Sequence, residues 1–324
     1  MTQDQLGYRS LLRDDLGEIG ALMLEACSEL PRAIRLPVEA LINRGGKRLR
    51  PALVLLSSYM YEADHNDAVL TATAIEMLHT ATLIHDDFID KAEKRRGVTT
   101  LNATQIPAAT VLTGDLIFAE AARLIAHTNN TTLVTRFAET LSTICSGELH
   151  QLFEGRKGQL PTEEAYYDRI FAKTASLFAL ATESGAILSR QSVEEVSRSR
   201  KVGELLGEAF QIADDVLDIA GDAAILGKPV GNDIRQGIIT LPVLLYSETH
   251  PHDDRVRALL NGGVDTITFD NLLQDLRASG AGDRAMIRAT SHVASALDLL
   301  RTHPDSPYRR AMEEIATFAV NRES

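Results

Sequence analysis

An all-helical fold is what this sequence predicts, and three observations carry the prediction. Ala and Leu outnumber the β-branched residues, aromatic residues make up only 5% with no Trp, and apolar residues recur at spacings of three and four from Leu16 onward. Breakers punctuate that pattern at Pro31, Pro37, Gly45 with Gly46, Pro107, residues 155–161, Gly227 with Pro229, and Pro304 with Pro307. The punctuation gives roughly ten or more helices joined by short loops, with almost no sheet. With 44% apolar residues the 324-residue chain has ample material for a core, and no linker divides it. One helical domain spanning 1–324 is the expectation.

Charge and cysteine content exclude several functions. A net charge of -12 repels a polyanionic backbone, so no nucleic acid is expected as a partner. Cys27 and Cys145 are too sparse for a disulfide framework, which fits a reducing cytoplasm. The most apolar stretches, 107–126 and 171–188, contain Asp115 and Glu120, and Lys173 and Glu183. No transmembrane segment or secretion signal is therefore expected, and the protein reads as soluble and cytoplasmic.

Residues 67–90 read as one long helix, with Ala74, Met77, Leu78 and Ala81 at the spacing of a buried stripe. His79, Thr82, Asp86 and Asp90 share a neighbouring stripe, because steps of four, seven and eleven residues return to nearly the same direction. Asp86, Asp87 and Asp90 thus crowd the C-terminal end of the helix, the negative pole of its dipole, where carboxylates repel one another and the helix. Something positive must offset that repulsion. The arrangement returns at Asp214, Asp215 and Asp218, which share a helix face with Gln211. Solvated acidic turns are a poor alternative, since Leu83, Ile84, Phe88 and Ile89 surround the first cluster.

Oxygen ligands without thiolates or paired histidines favour magnesium, which is commonly shared between one or two carboxylates and substrate phosphate oxygens. The cations then locate the phosphate: Lys47 and Arg50 after Gly45 and Gly46, Arg95 and Arg96 after the first cluster, Lys173 on a mid-chain helix, and Lys228 after the second cluster.

Taken in order, these features resemble the trans-prenyltransferase (polyprenyl diphosphate synthase) family. The resemblance runs through residues 45–51, 79–90, Arg95 to Gly97, Gly114 with Asp115, Gly147, Glu148 and Gln151, Lys173 with Thr174, 207–218 and 227–242. It implies a helical bundle around a deep central cavity with the aspartate clusters at its mouth. The implied reaction ionises an allylic diphosphate with the help of Mg2+, lets the double bond of isopentenyl diphosphate attack the carbocation, and loses a proton. By that resemblance Asp86, Asp90 and Asp214 hold the ions, with Asp87, Asp215 and Asp218 as further or supporting ligands. Arg95, Lys173, Thr174, Gln211 and Lys228 are expected to bind the allylic diphosphate. Gly46, Lys47, Arg50, His79 and Arg96 are expected to bind isopentenyl diphosphate. The chain departs from the pattern after Gly237, where Ile238 and Ile239 stand in place of a Lys found in many relatives.

One turn below Asp86 the helix presents Ala81 and Thr82, and two turns below it Leu78, whereas short-chain relatives place large rings at the first level. Small residues there favour a long product in the hexaprenyl to octaprenyl range, as for a quinone side chain, with geranylgeranyl diphosphate as the rival. A terpene cyclase needs no second diphosphate site, and a non-catalytic partner subunit is the remaining alternative. A homodimer through residues 107–126 and peripheral membrane contact for product release are further expectations.

Overall fold

The computed structural model describes residues 7–95, 97–154, 160–221, 230–260 and 265–321, apart from the side chain of Glu154. Its helices are α1 (Gly7–Leu11), α2 (Arg13–Ala26), α3 (Arg32–Asn43), α4 (Leu49–Met60) and α5 (His65–Ile89), then α6 (Leu101–Thr104), α7 (Pro107–His127), α8 (Thr131–Glu154) and α9 (Glu163–Ile170). A π-helical turn, Phe171–Ala175, joins α9 to α10 (Ser176–Leu188) and α11 (Val193–Ala220) follows. The chain ends with α12 (Asn232–Arg235), α13 (Leu241–Thr249), α14 (Asp254–Leu260), α15 (Thr266–Ala278), α16 (Ala281–Leu300) and α17 (Pro307–Val320). The sheet among the described residues is one two-residue hairpin, β1 (Lys94–Arg95) with β2 (Val98–Thr99), in the register Arg95 opposite Val98.

Local chemistry sets the helix starts. Asp64, Thr162, Ser192 and Ser306 each accept a backbone N–H with their side chains ahead of α5, α9, α11 and α17, and Pro107 opens α7 where its missing N–H costs nothing. Helix α10 is buried at every position from Ser176 to Ile187 and packs on α4, α5, α8 and α11. A helix apolar on all sides belongs in the middle of a bundle. Helix α7 covers α5 on one side, α16 covers α11 on the other, and one hydrophobic cluster draws residues from Tyr8 to Ala319.

The centre also contains a buried charge. Glu183, on α10, is fully buried, and its carboxylate lies 3.0 Å from Arg200 of α11 and 3.9 Å from Arg136 of α8. Burial raises its pKa and the two arginines counter that, so the ion pairs tie three helices at the level of the core.

The π turn sits where two flanking helices come unusually close. A Cβ on Gly147 of α8 would stand 2.4 Å from the Ala172 Cβ, and a Cβ on Gly207 of α11 would stand 2.4 Å from the Ala175 Cα. Gly207→Ala is therefore expected to cost about 1–3 kcal/mol by overpacking. The same change at Gly20 of α2, where nothing lies within 4 Å of the new atom, should gain about 0.5–1 kcal/mol. Urea unfolding of both variants checks this; equal effects would mean the close approach is not stabilising the turn.

Candidate active site

The first aspartate cluster lies where α5 ends. Asp86 is half-buried, Asp87 is buried and Asp90 forms the exposed C-cap, its N–H donating to the Asp86 carbonyl at 2.8 Å. His79 and Thr82 share the half-buried stripe with Asp86, while Leu78, Ala81 and Ile84 are buried. Lys91, with φ of 52°, breaks the helix, and the β1–β2 hairpin turns back on α5. That return brings the Arg95 Nε 2.5 Å from Asp87 Oδ1. Burial raises the pKa of Asp87 and Arg95 opposes it, so this carboxylate is engaged by the hairpin.

Asp86 faces a different cation. Burial, with Glu148 and Asp90 nearby, pushes its pKa up to about 6, although Lys173 and Arg95 pull it down. Lys173 in turn lies 3.0 Å from Glu148 of α8; burial opposes its charge, but Glu148 and Asp86 outweigh that and raise its pKa. Asp86, Glu148 and Lys173 thus form one electrostatic group contributed by α5, α8 and the π turn.

The second cluster is built along α11. Thr174 donates to Gln211 Oε1 at 2.7 Å, Gln211 Nε2 donates to Asp215 Oδ1 at 2.9 Å, and the Tyr166 hydroxyl donates to Asp215 Oδ2 at 2.8 Å. Burial pushes the Asp215 pKa up to about 7 in spite of those two donors. Asp218 is buried and accepts the Asp233 N–H at 3.2 Å, which closes the turn before α12 onto α11. Asp214, directly before Asp215, is half-buried.

Lys173 was expected on a mid-chain helix, and Thr174 follows it. They lie in the π turn, and these consecutive side chains serve different clusters, Lys173 toward Asp86 and Thr174 toward Gln211.

The remaining cations divide. Arg50 stacks 4.9 Å over Phe178, and Phe178 packs 5.4 Å from Phe210, the residue before Gln211. Lys47 lies 4.6 Å over Phe318 of α17, and its carbonyl accepts the Tyr8 hydroxyl, so both ends of the chain hold the 45–47 turn. Arg48 is structural: at φ 50° it pairs with Glu76 at 3.0 Å and donates to the Ile42 carbonyl at 2.6 Å. Gly46 is half-buried beside it. Arg96 and Lys228 lie outside the described residues.

Three participants went unassigned from sequence. Glu148 had a signal in its place beside Gly147 and Gln151, but Tyr166 and Arg169 had none. Arg169 donates to the Ile239 carbonyl at 2.5 Å and stacks 5.4 Å over Tyr166, placing a cation against the segment that carries Ile238.

The donor set fits a cation shared with a phosphorylated ligand. Among the described residues no three acidic, His or Cys side chains converge tightly enough to form a closed site, and half-buried carboxylates leave coordination positions to an incoming group. Such a fold and donor set define an all-helical protein with two carboxylate clusters suited to hold a phosphorylated ligand through a shared cation. The family model for polyprenyl synthetase matches residues 31–268, and the chain belongs to that family. It is 33% identical to octaprenyl diphosphate synthase of Escherichia coli over 315 residues, 97% of each chain. It is 36% identical to a short chain isoprenyl diphosphate synthase of Methanothermobacter thermautotrophicus, over 92% of this chain and 94% of that one. The structure of a Caulobacter crescentus polyprenyl synthase complexed with calcium and isoprenyl diphosphate superposes with a TM-score of 0.92 at 34% identity, covering 100% of this chain and 98% of that one.

The raised pKa of Asp86 carries a sign. A carboxyl whose folded value lies above its unfolded value destabilises the fold when ionised; the penalty is complete above pH 6 and disappears as pH falls through about 6 toward the ordinary carboxylate range. Without divalent ions, Asp86→Asn should raise the melting midpoint at pH 7 by about 2 °C or more and by less at pH 4.5. A lower midpoint at pH 7 would contradict the assignment.

Proposed function

We propose that this chain is a magnesium-dependent trans-prenyltransferase that condenses isopentenyl diphosphate with an allylic diphosphate to give a long-chain polyprenyl diphosphate. The observation that carries the proposal is the π turn that directs Lys173 to one aspartate cluster and Thr174 to the other. In this reading one domain spanning 1–324 performs the reaction. Asp86, Asp90 and Asp214 hold the ions, Asp87 and Asp218 support them, and Asp215 orients Gln211. Lys173, Arg95, Thr174, Gln211 and Lys228 bind the allylic diphosphate; Gly46, Lys47, Arg50, His79 and Arg96 bind isopentenyl diphosphate.

Bound magnesium supplies charge to the departing diphosphate. Lys173 and Arg95 add fixed positive charge at the same end, which favours the leaving group over the bound substrate because negative charge grows there as the bond breaks. Arg50, oriented by Phe178, supplies positive charge for the second diphosphate. The departing diphosphate is a sufficient acceptor for the proton lost after attack, so no side-chain base is required. Ala81 and Thr82 leave room for a growing tail beneath Asp86, which supports a hexaprenyl to octaprenyl product of the kind used for quinone side chains. The short-chain relative keeps geranylgeranyl diphosphate as the second reading.

No described helix is long and apolar enough to cross a membrane. A cytoplasmic enzyme that releases its product by peripheral membrane contact accords with that. Exposed Ile106, Leu112 and Leu116 on and before α7, beside Leu149 and Phe153 of the adjoining α8, support a homodimer through these helices. Sedimentation should give a dimer at micromolar concentration, and only monomer would exclude that interface.

With labelled isopentenyl diphosphate and farnesyl diphosphate, a Mg2+-dependent ladder ending at a long polyprenyl diphosphate is expected. Asp86→Ala and Asp214→Ala should each abolish it while leaving the helical circular dichroism intact. Geranylgeranyl diphosphate alone would transfer the assignment to the second reading; no incorporation would sink both.

A further inference from the structure

The first and last helices of the described chain converge on one residue, Lys47. Phe318, in the final turn of α17, presents its ring to the Lys47 ammonium at 4.6 Å from the centroid. The Tyr8 hydroxyl of α1 donates to the Lys47 carbonyl. The Gly7 N–H donates to Oε2 of Glu314 at 3.0 Å, which joins α1 to α17 one turn before Phe318. Tyr8 and Phe318 are 0% and 2% exposed, so neither ring moves without opening the core. Lys47 itself is half-buried and precedes Arg48, whose φ of 50° shapes the turn. A core phenylalanine needs only apolar neighbours. A cation over its face, on a residue whose carbonyl is held by the adjoining helix, is an arrangement that core packing does not require.

We infer that Phe318 is a positioning residue for isopentenyl diphosphate: with Tyr8 it fixes Lys47 before that substrate arrives, so the last helix sets the KM for isopentenyl diphosphate and not for the allylic substrate. A lysine stem free in solvent samples many rotamers, and binding an anion must order them. A ring face against the ammonium and a donor on the carbonyl impose that order in the folded protein, so less of it remains to be imposed on binding. Phe318 acts through Lys47 and takes no part in bond making or breaking.

The inference rests on the elongation reading above, in which Lys47 binds isopentenyl diphosphate, and steady-state kinetics separate the two. Phe318→Leu keeps an apolar side chain and removes the ring. It should raise KM for isopentenyl diphosphate about fivefold, while kcat and KM for farnesyl diphosphate stay within about twofold. In a Lys47→Met background, itself raised in KM for isopentenyl diphosphate, the same substitution should change that KM by less than about twofold, since the group it positions is gone. A loss of packing alone would act alike in both backgrounds. Should Phe318→Leu fail to fold, Tyr8→Phe takes its place in the cycle, with a rise of about threefold expected with Lys47 present and the coupling lost without it. A wild type that elongates overturns this inference alone if the substitution leaves KM unchanged, raises both KM values alike, or acts equally in the Lys47→Met background. A Lys47→Met of unchanged KM overturns it as well and leaves elongation standing. A wild type that makes no elongated product overturns both.

Discussion

The active centre depends on one turn of irregular helix. Successive helical side chains point in directions far enough apart to face two different helices. At the π turn Phe171–Ala175 Lys173 pairs with Glu148 in the field of Asp86, and Thr174 donates to Gln211. The turn persists because its surroundings leave no alternative. Ala172 and Ala175 sit against Gly147 and Gly207, and the fully buried α10 continues directly from it. Packing, not propensity, holds the geometry, since a π turn is unfavourable by itself.

Carboxylates surround that turn in two electrostatic conditions. Asp87, Asp215 and Asp218 are buried and each is engaged by protein donors: Arg95, then Gln211 and Tyr166, then the Asp233 N–H. Asp86, Asp90 and Asp214 are the more accessible members of the same triplets. Each triplet therefore has an inner part that fixes neighbouring segments and a more accessible outer part. Ionising Asp86 in its half-buried place costs the free protein stability, which the large core absorbs; sites prepared for a ligand's charge commonly carry such a cost.

The cation side is organised by aromatic faces. Arg50 lies over Phe178 and Lys47 over Phe318, contacts that orient a cation against an aromatic face. Arg48, between them in sequence, gives donors to Glu76 and the Ile42 carbonyl, and it secures the turn on which the other two stand. Tyr8 and Phe318 draw α1 and α17 to the same turn, so the first and last helices of the described chain meet there.

Sequence alone determined the helical class, because its periods of three and four and its breakers are local properties of the chain. The two aspartate triplets were legible as groups too, because each lies along one helix or at its cap, where spacing along the chain is position in space. The α5 helix was expected over 67–90 and runs His65–Ile89, with the cap at Asp64 setting the start. Tertiary structure alone decided which aspartate of each triplet turns inward, that residues 171–175 form a π turn, and that Tyr166 and Arg169 join the second cluster. Those outcomes follow from contacts between residues such as Tyr166 and Asp215, 49 positions apart. Burial is a property of the assembled helices, and no local pattern encodes the field that an interior carboxylate will meet.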